Sequence, residues 1–222
     1  MKRLVKFAAA SGLPLLASMF ISVTASAAPA PAGPVFHNGF ESGNLSPWSK
    51  SRGLVVESIF RHTGRFGAEG NTTTGATYAE KVLPATYAEG YALVWFDLVS
   101  SSSQATLLRL RTATGAPIAT AGVSRTGRVE LTPAPESTGK RTVLSARAVT
   151  LGVWHSLQVH VHVAGTASLT QVWLDGTAVG GLATTLNLGS GPIGVMQIGD
   201  TQMGRTYNVV FDDAAFSLTR LT

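Results

Sequence analysis

The chain of 222 residues contains no cysteine. Disulfide bonds, thiolate metal ligands and a cysteine nucleophile are therefore excluded. A protein without such cross-links depends on a hydrophobic core, and a domain of about 190 residues is large enough to bury one. A bound metal ion would add to that stability.

Charged residues are also few, at 13% of the chain, with 17 Lys and Arg against 12 Asp and Glu. Three of the basic residues lie within the first six positions, so the rest of the chain has 14 basic against 12 acidic residues, a net of +2. Binding to nucleic acid requires a dense stripe of Lys and Arg, which this balance does not provide. We therefore expect no nucleic-acid partner.

The N-terminus has the three parts of a secretory signal peptide. Lys2, Arg3 and Lys6 precede an apolar run, and small residues follow at Ala25–Ala27. A single-pass anchor is the alternative, but the run is short and is broken by glycine and proline. We predict a signal peptide over 1–27 that is cleaved after Ala27, a leader over 28–35, and a secreted domain over 36–222 with no membrane attachment.

No long helical pattern follows the signal. Short β-rich segments instead alternate with clusters of Gly, Ser, Thr and Pro, which is typical of a sandwich or a barrel. We expect one monomeric domain with strands at Leu54–Phe60, Thr77–Val82, Tyr91–Leu98, Thr106–Thr112, Pro117–Val123, Val129–Pro133, Arg147–Thr150, Trp154–Val163, Ser168–Leu174, Met196–Gly199 and Asn208–Leu218.

The segment Gly152–Gly176 carries the clearest pattern, which predicts two alternating strands and a final Asp-Gly turn. One face is apolar and belongs in a core: Leu157, Val159, Val161, Val163, Val172 and Leu174. The opposite face carries Gln158, His160, His162, Gln171 and Trp173. Two histidines at this spacing can bind a transition metal, but no third ligand is close in the sequence. A displayed binding face is the better interpretation, and a Trp173 packed under covering loops is the alternative.

Arg109 and Arg111 share one face of another predicted strand with Leu107, while Leu108 and Leu110 share the other. Arginines two apart are ordinary on a solvated sheet, and their guanidinium forks also suit an anionic or polyhydroxylated ligand. We include both in the candidate ligand-binding set with Gln158, His160, His162, Gln171 and Trp173.

Residue patterns for catalysis are absent. A glycosidase requires two carboxyl groups set across the sugar, and the acidic residues between 57 and 130 stand singly. The Gly-x-Ser-x-Gly nucleophile motif is missing as well. A polysaccharide lyase, which would use Arg, Gln, His and Tyr side chains, stays open as an alternative.

Three segments resemble secreted jelly-roll domains of the laminin-G-like and concanavalin-A-like type, which include carbohydrate-binding modules. They are Phe36–Trp48, Arg61–Glu69, and the hairpin together with the closing segment VVFDDAAFSL. The resemblance implies an all-β fold, a jelly-roll sandwich of two antiparallel sheets. It also places Trp154 in the core, and Trp95 is expected in a central buried strand.

The same resemblance implies a structural calcium ion. Its ligands would be Glu41, one of Asp212 and Asp213, and backbone near residues 63–65, because the first and last strands are neighbours in such domains. Adjacent strand residues face opposite ways, so only one of the two aspartates is expected to point inward. The alternative is that Glu41 caps a turn and the aspartates accept backbone hydrogen bonds.

The function expected from these observations is non-catalytic binding of a glycan or a cell-surface ligand. The alternatives are a polysaccharide lyase or glycoside hydrolase of the same fold, and a structural or adhesion domain.

Overall fold

The computed structural model describes residues 33–134 and 143–222; the predicted signal peptide and most of the predicted leader lie outside them. The described residues form strands and one short 3-10 turn at Gly165–Ala167, and no α-helix. The strands are β1 Phe36–Asn38, β2 Lys50–Arg52, β3 Val55–Glu57, β4 Gly67–Thr72, β5 Thr77–Tyr87, β6 Glu89–Ser101, β7 Ala105–Thr112, β8 Pro117–Val123, β9 Arg128–Pro133, β10 Val143–Ala148, β11 Trp154–His162, β12 Ser168–Leu174, β13 Thr177–Ala178, β14 Thr184–Leu186, β15 Ile193–Asp200 and β16 Tyr207–Ser217.

The strands form two antiparallel sheets, which confirms the predicted all-β sandwich. The nine-stranded sheet has the order β13-β12-β11-β6-β16-β4-β3, with β1 beside β16 and β14 beside β12. The seven-stranded sheet has the order β10-β9-β8-β7-β15-β5-β2. The first and last strands are neighbours, as expected, with Phe36 opposite Phe216.

The core lies between the two sheets and follows the period-two alternation of the strands. The nine-stranded sheet contributes Phe96, Leu157 and Phe211, all fully buried. Leu108, Leu110 and Ile198 come from the seven-stranded sheet. Among the described residues, no helix is long and apolar enough to cross a membrane.

Sequence pattern located the strands well where alternation is regular: β8 and β12 have the predicted bounds. The turn Asp175–Gly176 is also confirmed, because both residues have positive φ (51° and 70°) and join Leu174 to Thr177. Such a two-residue turn matches the twist of a hairpin.

The prediction that Leu107 shares a face with Arg109 and Arg111 is wrong. Leu107 is fully buried in the core, whereas Arg109 on the same predicted face is partly exposed. The pairing of β7 with β8 shifts register between Thr106 and Leu108, so the strict alternation of faces is interrupted there.

Candidate ligand-binding site

The outer face of the nine-stranded sheet brings most of the predicted binding residues together. Because Leu157, Val159 and Val161 enter the core, Gln158 and His160 point to the opposite side. Gln158 pairs with Leu93 on β6 and with Trp173 on β12, and His160 pairs with Tyr91 and Gln171. Cross-strand neighbours of this kind are close enough for their side chains to touch.

His160 is the centre of a packed polar cluster at one end of this face. Its Nδ1 lies 3.1 Å from Gln171 Oε1, its Nε2 lies 2.8 Å from Glu89 Oε1, and its ring stacks on Tyr91 at 4.2 Å. Burial and the nearby negative charge of Glu89 raise the pKa of Tyr91. Both imidazole nitrogens of His160 are therefore engaged by protein groups. His162 lies opposite Leu169 at the end of β11 and is half-buried.

Trp173 is not displayed as the sequence predicted, because a segment that follows β16 covers it. Only 9% of Trp173 is exposed, and the Arg220 guanidinium lies 4.7 Å from its ring centre. Arg220 Nη2 donates to the carbonyl of Gly176 at 2.9 Å. Gln158 Nε2 donates to the carbonyl of Leu221 at 2.8 Å. These contacts hold the segment across the sheet.

A cavity of about 410 Å³ lies between this segment and the sheet. Its wall is formed by Leu93, Trp95, Ser156, Gln158, Trp173, Asp175, Gly176, Arg220, Leu221 and Thr222. Cavities of this size and composition, apolar with a few polar groups, are typical of sites for small ligands. Gln158 is 4% exposed and its Oε1 has no hydrogen-bond partner among the described residues. The cavity wall thus includes an amide whose buried oxygen has no partner among the described residues.

The loop over residues 58–66 covers the neighbouring part of the face. The His62 ring stacks on Trp95 at 3.7 Å and lies 5.6 Å from Trp154. Trp154 is therefore on the outer side and partly exposed, and its predicted place in the core is wrong. Trp95 lies on the central strand β6 as expected, but its ring forms part of the cavity wall and is only partly buried.

Glu41, Asp212 and Asp213 all hold this loop. Glu41 accepts the backbone N–H groups of Arg65 and Phe66, with Oε1 at 2.9 and 3.2 Å. Asp212 Oδ2 accepts the N–H groups of His62 and Thr63 at 3.0 and 3.1 Å. Asp213 Oδ2 accepts the hydroxyl of Thr63 at 2.9 Å.

Both aspartates thus face the same loop, which corrects the expectation that only one of them can. Asp213 has a positive φ of 45°, and the pairing with β6 shifts register between Asp212 and Ala215. This bulge breaks the alternation and turns both carboxylates toward residues 62–63. Burial raises the pKa of Asp212, and its backbone hydrogen bonds oppose that effect.

The three carboxylates do not fit a calcium ion in this arrangement. Calcium requires several oxygen ligands, whereas these carboxylates face N–H and O–H donors. The remaining oxygen of Asp213 faces His37 Nε2 at 3.7 Å. No cluster of three or more His, Asp and Glu residues suited to a metal exists within 33–134 and 143–222. The arrangement corresponds to the alternative in which these groups accept hydrogen bonds, and calcium stays a prediction from the resemblance.

Arg109 and Arg111 lie on the other sheet and do not join this site. Arg109 donates to the hydroxyls of Thr120 and Thr201 at 3.2 and 2.9 Å, and Arg111 pairs with Glu80. Gln197 pairs with Arg109 across the strands, is fully buried, and has an unpartnered Oε1. The seven-stranded sheet therefore has its own polar cluster.

A second cavity, of about 290 Å³, lies between β10 and the β12–β13 turn. Ser145, His155 and Asp175 all line it, which raises the question of a hydrolase triad. His155 Nδ1 lies 2.8 Å from Asp175 Oδ2, but His155 Nε2 accepts the backbone N–H of Thr150 at 3.1 Å. The nitrogen that would take a proton from a serine is therefore occupied, and the His155–Asp175 pair anchors the turn.

Sequence reasoning missed Leu93, Trp95, Ser156 and Arg220 as cavity residues. The first three were detectable, because they occupy the positions across from and next to Gln158 on alternating strands. Arg220 carried no such signal, since it follows the last strand and its position depends on long-range packing.

No family model and no curated protein matches this chain. Among solved structures it is similar to the endo-β-1,4-glucuronan lyase of the fungus Trichoderma reesei, with a TM-score of 0.62 and 14% identity over 84% of this chain and 96% of that one. The similarity to a carbohydrate esterase of the Shiga toxin-encoding bacteriophage phi24B has a TM-score of 0.61 and 14% identity, over 85% of this chain and 99% of that one. The similarity to the botulinum neurotoxin type G receptor-binding domain has a TM-score of 0.57 and 9% identity, over 86% of this chain and 49% of that one. These likenesses show a shared fold.

Proposed function

We propose that this protein is a secreted, non-catalytic carbohydrate-binding domain whose ligand occupies the cavity between β6, β11, β12 and residues 220–222. The observation that carries the proposal is the composition of the wall. Trp95, Trp173 and Leu93 supply apolar surface, and Gln158, whose buried Oε1 has no partner among the described residues, supplies a polar group. Sugars have apolar ring faces and a rim of hydroxyl groups, so they match such a wall.

Two further observations support binding over catalysis. Asp175 is the only carboxylate side chain among the described wall residues, and its oxygens are taken by Ser156 N at 2.9 Å and His155. A glycosidase site requires a second carboxyl group. Several similar structures are named for proteins that act on carbohydrates, a lyase, a sialidase and an esterase, which agrees with a glycan as ligand.

A polysaccharide lyase on the seven-stranded sheet is the second candidate. The fully buried Gln197 with its unpartnered oxygen, beside Arg109 and across from Glu80, is the observation that favours it. A lyase also requires a base, and Tyr78, two residues before Glu80 on β5, is the group of suitable chemistry there. Release of unsaturated uronic products, lost in Gln197→Ala, would support this candidate.

A glycan array followed by calorimetric titration tests the binding proposal. We expect Trp173→Ala to weaken binding of the array-positive glycan by about 30-fold, roughly 2 kcal/mol, because it removes an aromatic part of the wall and the ring on which Arg220 packs. Trp154→Ala is the matched control, since it removes a partly exposed tryptophan of the same face outside the cavity. An array without any bound glycan, or equal affinity in wild type and Trp173→Ala, would refute the proposal.

A further inference from the structure

The cavity wall contains a cationic side chain that is not in an ion pair with a described residue. Arg220 is the only cationic side chain among the described wall residues. Its guanidinium contacts the Trp173 ring and the carbonyl of Gly176, both uncharged groups. No carboxylate among residues 33–134 and 143–222 forms an ion pair with it. The guanidinium therefore brings to the cavity a positive charge that is not in direct contact with any described carboxylate.

Two contacts orient the guanidinium of the exposed Arg220. The ring contact at 4.7 Å and the hydrogen bond at 2.9 Å involve the guanidinium itself. One donor of the five in the fork is used by Gly176, which leaves donors for a ligand. A guanidinium held in one orientation loses little conformational entropy when it binds a planar anion such as a carboxylate.

Asp175, the carboxylate side chain of the wall, contacts other groups than Arg220. Its two carboxylate oxygens are directed to Ser156 N and to His155 Nδ1, at 2.9 and 2.8 Å. Each oxygen of Asp175 thus has a protein donor, whereas the fork of Arg220 keeps free donors and Gln158 Oε1 has no partner among the described residues. A matching ligand has an anionic group, a hydroxyl donor and an apolar ring face.

We propose that Arg220 is a specificity-determining residue that makes the cavity selective for acidic sugars, those that bear a carboxylate or a sulfate group. This inference rests on the proposed binding function. The carboxylate or sulfate pairs with the free donors of Arg220, and the sugar ring packs on Leu93 and Trp95 beside the amide of Gln158. A charge-assisted pair of this kind favours the acidic over the neutral sugar by about tenfold or more.

The test compares acidic and neutral glycans on one array, and then an oligoglucuronate with its carboxyl-reduced, neutral form by titration. A sulfated neutral oligosaccharide separates sulfate from carboxylate recognition. We expect wild type to prefer the acidic probes about tenfold, and Arg220→Gln to lose the preference. The readout is the ratio of acidic to neutral affinity, because Arg220 also helps to hold the covering segment and both affinities can fall together. Arg220→Lys should keep part of the preference, because charge remains and the fork is lost. The preference should weaken with added salt.

Arg65→Gln is the matched control, because Arg65 is also exposed and its guanidinium lies 5.6 Å from the Phe66 ring, away from the cavity. A purely structural Arg220 would alter the thermal midpoint and leave the ratio of acidic to neutral affinity unchanged, which would overturn the inference. Equal binding of acidic and neutral probes by wild type would overturn it too, with the binding function intact. Absence of binding to every glycan would overturn both.

Discussion

Asp212 is the residue whose removal should most affect the covered face. It is fully buried, and its carboxylate accepts three backbone N–H groups, those of His62, Thr63 and Asp213, at 2.8 to 3.1 Å. Asp212→Ala leaves these donors without acceptors. A buried donor that loses its partner costs about 1–3 kcal/mol, so three of them set a range of about 3–9 kcal/mol.

Two effects place the expected loss at the lower end of that range. Thr63 is exposed, so water replaces part of the missing acceptor. Burial also raises the pKa of Asp212, which means that the ionised carboxylate is held at a desolvation cost that alanine removes. We expect Asp212→Ala to lower the free energy of unfolding by about 3 kcal/mol, a large fraction of the roughly 5–15 kcal/mol of a typical domain.

Urea unfolding and amide hydrogen exchange measure this prediction together. The exchange protection of the His62 and Thr63 amides should fall, because these amides are the donors that lose their acceptor. Asp213→Asn is the control, since asparagine tolerates the positive φ of 45° and the side chain contacts no backbone amide of the loop. It should cost less than about 1 kcal/mol. Unchanged protection in Asp212→Ala, with a loss below about 1 kcal/mol, would refute the hydrogen-bond account.

Two other predictions concern buried acid and metal. Burial raises the pKa of Asp97 above its ordinary value of 3.8, although the positive charge of His155 and the Gly152 amide act in the opposite direction. Folding therefore favours the neutral carboxyl, and the stability that this group contributes at low pH is lost as the pH rises through its folded-state pKa. The free energy of unfolding of Asp97→Asn, measured in urea titrations, should therefore rise relative to that of wild type as the pH increases from acidic to neutral. A difference between the two proteins that does not change with pH would count against this account. For calcium, a chelator should leave the thermal midpoint unchanged, because the loop carboxylates already accept N–H and O–H groups of the protein; a clear drop of the midpoint would support a bound ion instead.

The sandwich itself was predictable because its strands alternate. The pattern of β11 and β12 assigned Leu157 and Val159 to the core and Gln158 and His160 to the outer face, and the structure agrees. The same alternation also places Trp154 outside, on the side of Gln158. The core position predicted for Trp154 came from the family resemblance instead, and it was wrong because the alternation of β11 extends to its first residue.

Bulges are the first feature that alternation does not reveal. One extra residue reverses the face of every later residue in the strand, and neither Leu107 nor Asp213 carries a local signal of such an insertion. Asp213 shows the consequence for a site. Strict period-two alternation separates the two aspartates, whereas a single residue with positive φ brings both carboxylates to one loop.

The segments that cover the outer face of the sheet are the second feature that alternation does not reveal, and they determine the shape of the site. A bare outer face would present the rings of Trp95 and Trp173 as flat platforms. His62 instead stacks on one ring and Arg220 on the other, each from a segment with no regular period. These stacks leave a partly covered cavity where the open face would have been, with Gln158 and the cation of Arg220 in its wall. Selectivity in such a site depends on the covering residues more than on the sheet, which is why the charge of Arg220 is the decisive quantity to change.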